Sequence, residues 1–299
     1  EVSGVCKGKV FSYTADSQEF ESGPVTLNGG KKGIEVTSIE RQCGNPVYYG
    51  KLELIRNGES LNLINELSLE EYLKGVVPSE MPTEYQKEAL KAQAVCARSY
   101  AIKQMAGKRL AALGAHVDDS VSFQVYNNLR EDAASIAAVN ETKGQVVFAE
   151  NQVAETYFYS VSAGVSAGIK EVWFAKKDRS YLMPCVLLGD SRKTLDLQKE
   201  ADFSEFLQGE IKSYDTNSPW YRWRTTVSEK QLQQFISEKI KSRYEKNPTQ
   251  IQTKQKDGTF FSTGQTELGE IKKVEILKRG KSGVAVMAQI TGSKNTLRI

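Results

Sequence analysis

The stretch Pro82-Thr-Glu-Tyr-Gln-Lys-Glu-Ala-Leu-Lys-Ala-Gln-Ala-Val-Cys-Ala-Arg-Ser-Tyr-Ala-Ile-Lys-Gln-Met-Ala-Gly107 decides how this 299-residue chain is read. Leu90, Ala94, Ala97, Ala101 and Met105 recur at helical spacing, and Ala89 and Ala92 thin the helix further. Thr83 with Gln86 has the pattern of a capping box, and Gly107 follows Lys103 as a stop signal. So slender a helix can be approached closely from several sides, which makes it the central buried helix of its domain.

Just upstream, Leu69-Glu-Glu-Tyr-Leu-Lys-Gly75 reads as a short helix with Ser68 as N-cap and Glu71 three residues on. Residues 1–67 form a β-rich segment. Its runs are Lys9–Tyr13, Gly33–Thr37, Val47–Tyr49 and Leu52–Ile55, divided by turns at Asn28-Gly-Gly30 and Asn57-Gly58. Downstream we expect strands at Ser122–Tyr126, Gln145–Phe148 and Thr156–Tyr159, and a helix over Glu131–Val139. A charged helical excursion, Glu200–Tyr214, precedes the aromatic cluster Trp220, Tyr221 and Trp223. A helix capped by Ser228 runs to Tyr244, a polar stretch continues to about Gly269, and strands at Ile271–Leu277, Gly283–Met287 and Gln289–Ile290 close the chain. Strand runs and helix runs without regular alternation give an α+β fold. We divide it as residues 1–67, a catalytic core at 68–190, the excursion at 191–260 and C-terminal strands at 261–299.

Composition excludes several classes of function. With 39% hydrophobic and 26% charged residues the chain is globular, and 40 Lys+Arg against 37 Asp+Glu leave a net charge of only +3. No block of basic residues occurs, so nucleic acid is not a partner. No apolar run reaches the roughly 18 residues of a membrane span. The single histidine, His116, rules out zinc sites built on several histidines, and Cys6, Cys43, Cys96 and Cys185 have no metal-type spacing. Neither metal nor cofactor is expected. Cys6 and Cys43 are candidates for a disulfide, which would place the protein outside the cytoplasm; otherwise they are free thiols. The start at Glu1 and the apolar end at Ile299 suggest a trimmed chain whose signal peptide or anchor has been removed.

Chemistry concentrates around Val76-Val-Pro-Ser-Glu-Met-Pro82. One carboxylate, Glu80, is bracketed there by two prolines and apolar residues, which restrict the backbone and can raise the carboxyl pKa by desolvation. A glutamate favoured by a helix dipole is the plain alternative. Lys91 and Arg98, seven residues apart, share one helix face. They can pair with carboxylates, snorkel, or await a polar or anionic ligand. Gln124 with Tyr126, and Tyr157 with Tyr159, alternate as in strands. The small-residue run Ser160–Gly168 suits close backbone approach to a ligand, or a plain loop.

The segments Leu69–Pro82 and Glu88–Ala101 resemble the signature of the stage II sporulation protein D / amidase enhancer family. Asp119–Tyr126, Ala138-Val-Asn-Glu-Thr-Lys-Gly-Gln-Val146 and Trp173 with Tyr181-Leu182 follow in the family's order. The resemblance implies a peptidoglycan lytic transglycosylase of sporulation and engulfment, secreted or anchored at the cell wall and working beside an amidase. Its catalytic glutamate falls on Glu80, and its substrate contacts on Lys91, Arg98, Gln124, Tyr126, Tyr159, Ser160, Ser162, Ser166 and Tyr181. Some relatives carry a Cys/His zinc site where this chain has Asp118, Ser122 and Phe123, so none is expected here. The family's Gly-Gly-Thr-Ser-type loop is Ala163-Gly-Val-Ser166 in this chain. The resemblance further implies cleavage of peptide-free strands to 1,6-anhydro-N-acetylmuramic acid ends by a single carboxyl. A non-catalytic glycan-binding enhancer of an amidase is the alternative, and an adaptor using Trp220, Tyr221 and Trp223 a third reading.

Overall fold

The computed structural model describes residues 2–7, 10–15, 18–20, 24–41, 43–58, 60–129, 132–173, 175, 177–187, 195–209 and 211–299. The fold is α+β, in two units that divide after Phe158, inside the segment read from sequence as one catalytic core.

The first unit opens with strands β1 (Val2–Lys7), β2 (Val10–Ala15) and β3 (Gln18–Phe20) in an antiparallel sheet. A second antiparallel sheet joins β4 (Val25–Glu35), β5 (Val47–Asn57) and β6 (Ser60–Glu66). Asn28-Gly-Gly30 is not the turn expected from sequence: it lies within β4, where the register against β5 shifts. The two runs Val47–Tyr49 and Leu52–Ile55 are one strand that passes through Gly50 at a φ of 75°. A Cβ at Gly50 would fall 2.5 Å from the Glu66 carbonyl oxygen, so both conformation and space demand glycine. The hairpin at Asn57 forms as read, with Asn57 opposite Ser60.

Three helices follow: α1 (Leu69–Glu80), α2 (Lys87–Met105) and α3 (Ala133–Glu141). Leu73, Val76, Val77, Leu90, Ala94, Ala97, Ala138 and Val139 from all three are buried together, which makes the Ala-rich α2 the core helix. Met105, the last residue of its expected stripe, is exposed. Its start differs from the reading: Gln86 is the N-cap without a side-chain cap bond, and Thr83 lies in a turn. Helix α1 runs through Pro78, five residues beyond the expected stop at Gly75. The proline removes one helix donor near the end, and the Ser79 hydroxyl donates to the Gly75 carbonyl at 2.7 Å in the same turn. Helix α3 is capped by Asp132, whose side chain accepts from the Ala134 and Ser135 backbone N–H groups. A small hairpin, β7 (Phe148–Ala149) with β8 (Gln152–Val153), turns through Glu150 and Asn151, both at positive φ.

The second unit contains β9 (Val165–Ser166), α4 (Ile169–Val172), β10 (Cys185–Val186), α5 (Glu200–Gln208) and α6 (Glu229–Lys246). Strands β11 (Gln252–Lys254), β12 (Phe260–Phe261), β13 (Ile271–Arg279), β14 (Ala285–Gly292) and β15 (Thr296–Arg298) form a sheet in the order β12-β11-β15-β14-β13. Ile240 of α6 is buried with Ile251, Leu268, Ile290 and Leu297. The Ser228 capping box closes as read. The polar stretch after α6 hides two strands, and the excursion helix stops at Gln208. Among the described residues no helix is long and apolar enough to cross a membrane.

Candidate active site

Glu80 is the last residue of α1, and the irregular segment 124–129 runs beside it. The Val125 N–H donates to Glu80 Oε1 at 2.7 Å, and the Asn127 N–H donates to Ser79 Oγ at 3.0 Å. Two adjacent side chains at the helix end thus take backbone donors that no neighbouring strand receives. The Ser122–Tyr126 strand expected from sequence does not form: Ser122 and Phe123 lie in a turn closed by the Phe123 N–H on the Ser120 carbonyl, and Gln124–Tyr126 join no ladder. Tyr126 stacks on Tyr72 with centroids 5.7 Å apart. A Cβ on Gly75 would lie 2.4 Å from the Tyr126 ring, so Gly75 is what admits that ring.

Burial pushes the Glu80 carboxyl above its ordinary pKa, and the Val125 hydrogen bond opposes this only in part. No cation among the described residues contributes. The desolvation read from Val76, Val77 and the prolines is thus realised, without a lysine or arginine to cancel it.

Arg98 is taken up by an ion pair within the first unit. Its side chain is 1% exposed, and it donates to Glu70 Oε1 from Nε at 2.9 Å and to Oε2 from Nη2 at 2.8 Å. The carbonyls of Val139 (3.2 Å) and Gln145 (3.1 Å) accept further bonds. Arg98 holds the Glu70 carboxyl below its usual range, chiefly through these hydrogen bonds. Lys91 lies on the same face, as the spacing requires, but that face meets α3. Its ammonium pairs with Glu88 at 2.9 Å and approaches Glu141 at 3.9 Å. Gln124 is buried as well, with its amide set between the Tyr72 hydroxyl and the Ala97 carbonyl at 3.4 Å each, so it braces the site from behind.

The Ser160–Gly168 loop belongs to the second unit. Ser162 is buried, and its hydroxyl and backbone N–H donate to Asp215 Oδ2 at 2.5 and 2.9 Å, which makes it an anchor and not a ligand contact. Ser166 Oγ accepts from the Cys185 N–H at 3.0 Å. Tyr159 and Ser160 are exposed, and Tyr181 is half-buried. Cys43 is exposed as a free thiol, while the Cys6 side chain, its candidate partner, lies outside the described residues. Among the described residues no three His, Cys, Asp or Glu side chains are grouped to hold a metal.

A cleft of about 450 Å³ in the first unit is walled by Tyr49, Lys74, Gly75, Tyr126 and Asn128. Gly75 lies five residues from Glu80, about 7.5 Å along the helix axis, so cleft and carboxyl share one element. Sequence reasoning missed Ser79, Gly75 and Asp215. The Ser-Glu pair ahead of an alternating Gln-Val-Tyr-Asn run was the available signal for the first.

A carboxyl made basic by burial, on the end of a helix pinned to the 125–127 backbone, defines a site suited to acid–base work. Residues 57–148 match the family described as "Stage II sporulation protein". The chain is 32% identical over 171 residues to "Stage II sporulation protein D" of Bacillus subtilis, covering 52% of this chain and 47% of that protein. It is 36% identical over 113 residues to "Amidase enhancer" of the same organism, covering 36% of this chain and 15% of that protein. An uncharacterized protein of Brachyspira hyodysenteriae is 36% identical over 127 residues, 42% of this chain and 34% of that one. The chain spans less than half the length of these relatives. The matched segment, with Glu80 inside it, is thus similar to the stage II sporulation protein D and amidase enhancer relatives.

Proposed function

We propose that this protein is a peptidoglycan lytic transglycosylase in which Glu80 is both acid and base. The observation that favours this reading is a single carboxyl raised by burial, held by one backbone donor on Oε1 and influenced by no cation among the described residues. In the proposed step protonated Glu80 gives its proton to the glycosidic oxygen between N-acetylmuramic acid and N-acetylglucosamine. The C1–oxygen bond breaks, the C6 hydroxyl of the same muramic ring bonds to C1, and the Glu80 carboxylate takes the hydroxyl proton. No water enters, so no second carboxylate is needed, unlike hydrolysis. The product is a 1,6-anhydro end, and the protein acts outside the cytoplasm on strands whose peptides an amidase has removed.

Arg98 and Lys91 are engaged within the first unit, so the preference for peptide-free strands rests on the pairing with an amidase and needs other cations. The relative named amidase enhancer favours a second reading, in which the protein binds glycan and stimulates an amidase without cleaving. Glu80→Gln separates the two. The amide can still accept the Val125 N–H but cannot move a proton, so a lyase loses turnover and keeps strand binding, whereas a pure enhancer keeps its stimulation of the amidase.

A further inference from the structure

We propose that residues 212–224 of the second unit are a binding face for a carboxylate-bearing polysaccharide strand, with Tyr214, Trp220 and Trp223 stacking on sugar rings and Lys212 and Arg224 meeting the carboxylates. The inference rests on the glycan reading above for the class of polymer and adds a site distinct from Glu80.

The three rings are 82%, 71% and 68% exposed, a large apolar area to leave in water. Their backbone is nevertheless fixed. Tyr221, between the two tryptophans, is buried and its hydroxyl donates to the Ile211 carbonyl at 2.8 Å. Arg222 donates to the carbonyls of Ala163 and Phe206 at 3.1 Å each, and its guanidinium lies 4.1 Å from the centre of the Tyr221 ring. Upstream, the Ser218 N–H donates to the Asp215 carbonyl and the Tyr221 N–H to the Ser218 carbonyl, closing two consecutive turns. Inward residues thus hold the segment while the indoles face out, so little backbone freedom is lost when a ligand stacks on them.

Charge selects the ligand. Among the described residues 211–224 the one carboxylate, Asp215, is turned toward Ser162, and Arg222 is engaged with carbonyls. Lys212 and Arg224 are exposed and have no ion-pair partner among the described residues. Within thirteen residues the segment therefore carries three exposed aromatic rings and two available cations. Sugar rings present C–H faces to the rings, and the lactyl carboxylates of peptide-free muramic acid match the cations.

The test measures binding to purified peptide-free glycan strands by calorimetry, with the full chain in a Glu80→Gln background so that nothing is cleaved. Trp220→Ala/Trp223→Ala should weaken binding at least about tenfold, with the melting temperature unchanged because both rings are exposed. Lys212→Gln/Arg224→Gln should weaken binding to native strands but not to strands whose lactyl carboxylates are converted to amides, and added salt should erase that difference. Unchanged affinity in the tryptophan variant overturns the proposal. So does a variant that keeps strand affinity but loses capture of the amidase, which would make the face a protein dock. Parent protein that binds no strands overturns it too. If the Glu80 variant proves as active as the parent while the tryptophan variant loses binding, the catalytic reading falls and this face stands.

Discussion

Arg98→Ala separates a structural arginine from a ligand-binding one. Removing the guanidinium leaves Glu70 with an unpaired carboxylate only 22% exposed and takes one donor each from the Val139 and Gln145 carbonyls. Breaking one side of a buried pair costs about 3–5 kcal/mol, and the partial exposure of Glu70 puts this case near 3 kcal/mol. In a unit of this size that lowers the melting temperature by about 6–12 °C. The loss depends on pH in a set direction. Glu70 has a depressed pKa in the folded state, so the stabilisation is complete above the ordinary carboxylate range and is lost as pH falls through the depressed value. Calorimetric melts at neutral and strongly acidic pH should show the gap between parent and variant narrowing in acid. Glycan binding by the folded variant should stay within about twofold of the parent. A melting temperature within about 2 °C of the parent together with loss of strand binding would refute the reasoning and return Arg98 to the substrate.

Glu80→Gln should gain stability on the parent as pH rises. The raised Glu80 pKa means that folding favours the protonated acid, a contribution present below the unfolded pKa and lost as pH climbs through the folded one, whereas Gln never ionises. Melts from pH 4 to 8 check this, and parallel curves would contradict it. Gly75→Ala forces the Tyr126 ring away from α1, at a cost of about 1–3 kcal/mol, and should loosen the neighbouring Val125–Glu80 bond. Strand cleavage should then fall more than strand binding, and equal losses would point to general destabilisation. Ser79→Ala leaves the Asn127 N–H without its acceptor and should lower stability by about 1–2 kcal/mol, measured by denaturant titration.

Local chemistry was legible where it acts within a few residues. The Ser228 capping box and the burial of Ala94, Ala97 and Ala101 follow from short-range pattern, and so does the raised carboxyl between Pro78 and Pro82. What the sequence hid was long-range. Nothing in the seven-residue spacing of Lys91 and Arg98 tells which neighbour their face meets; α3 does, and Glu70, twenty-eight residues upstream of Arg98, completes the pair. Alternation over Ser122–Tyr126 suggests a strand, but the segment opens in a turn and its later donors go to Ser79 and Glu80. Pro78 marks a helix end in most contexts, yet here it falls inside the last turn, where few hydrogen bonds are left to lose. Ser162 looks like a loop ligand until Asp215, over fifty residues away, takes its hydroxyl.

The central claim is that Glu80 cleaves glycan strands without water. Mass spectrometry of purified peptide-free strands after incubation with the protein tests it most directly. The account predicts new 1,6-anhydro-N-acetylmuramic acid ends, lighter by one water than hydrolysis products, from the parent and none from Glu80→Gln. Reducing ends, or strands left intact by the parent protein, would contradict it.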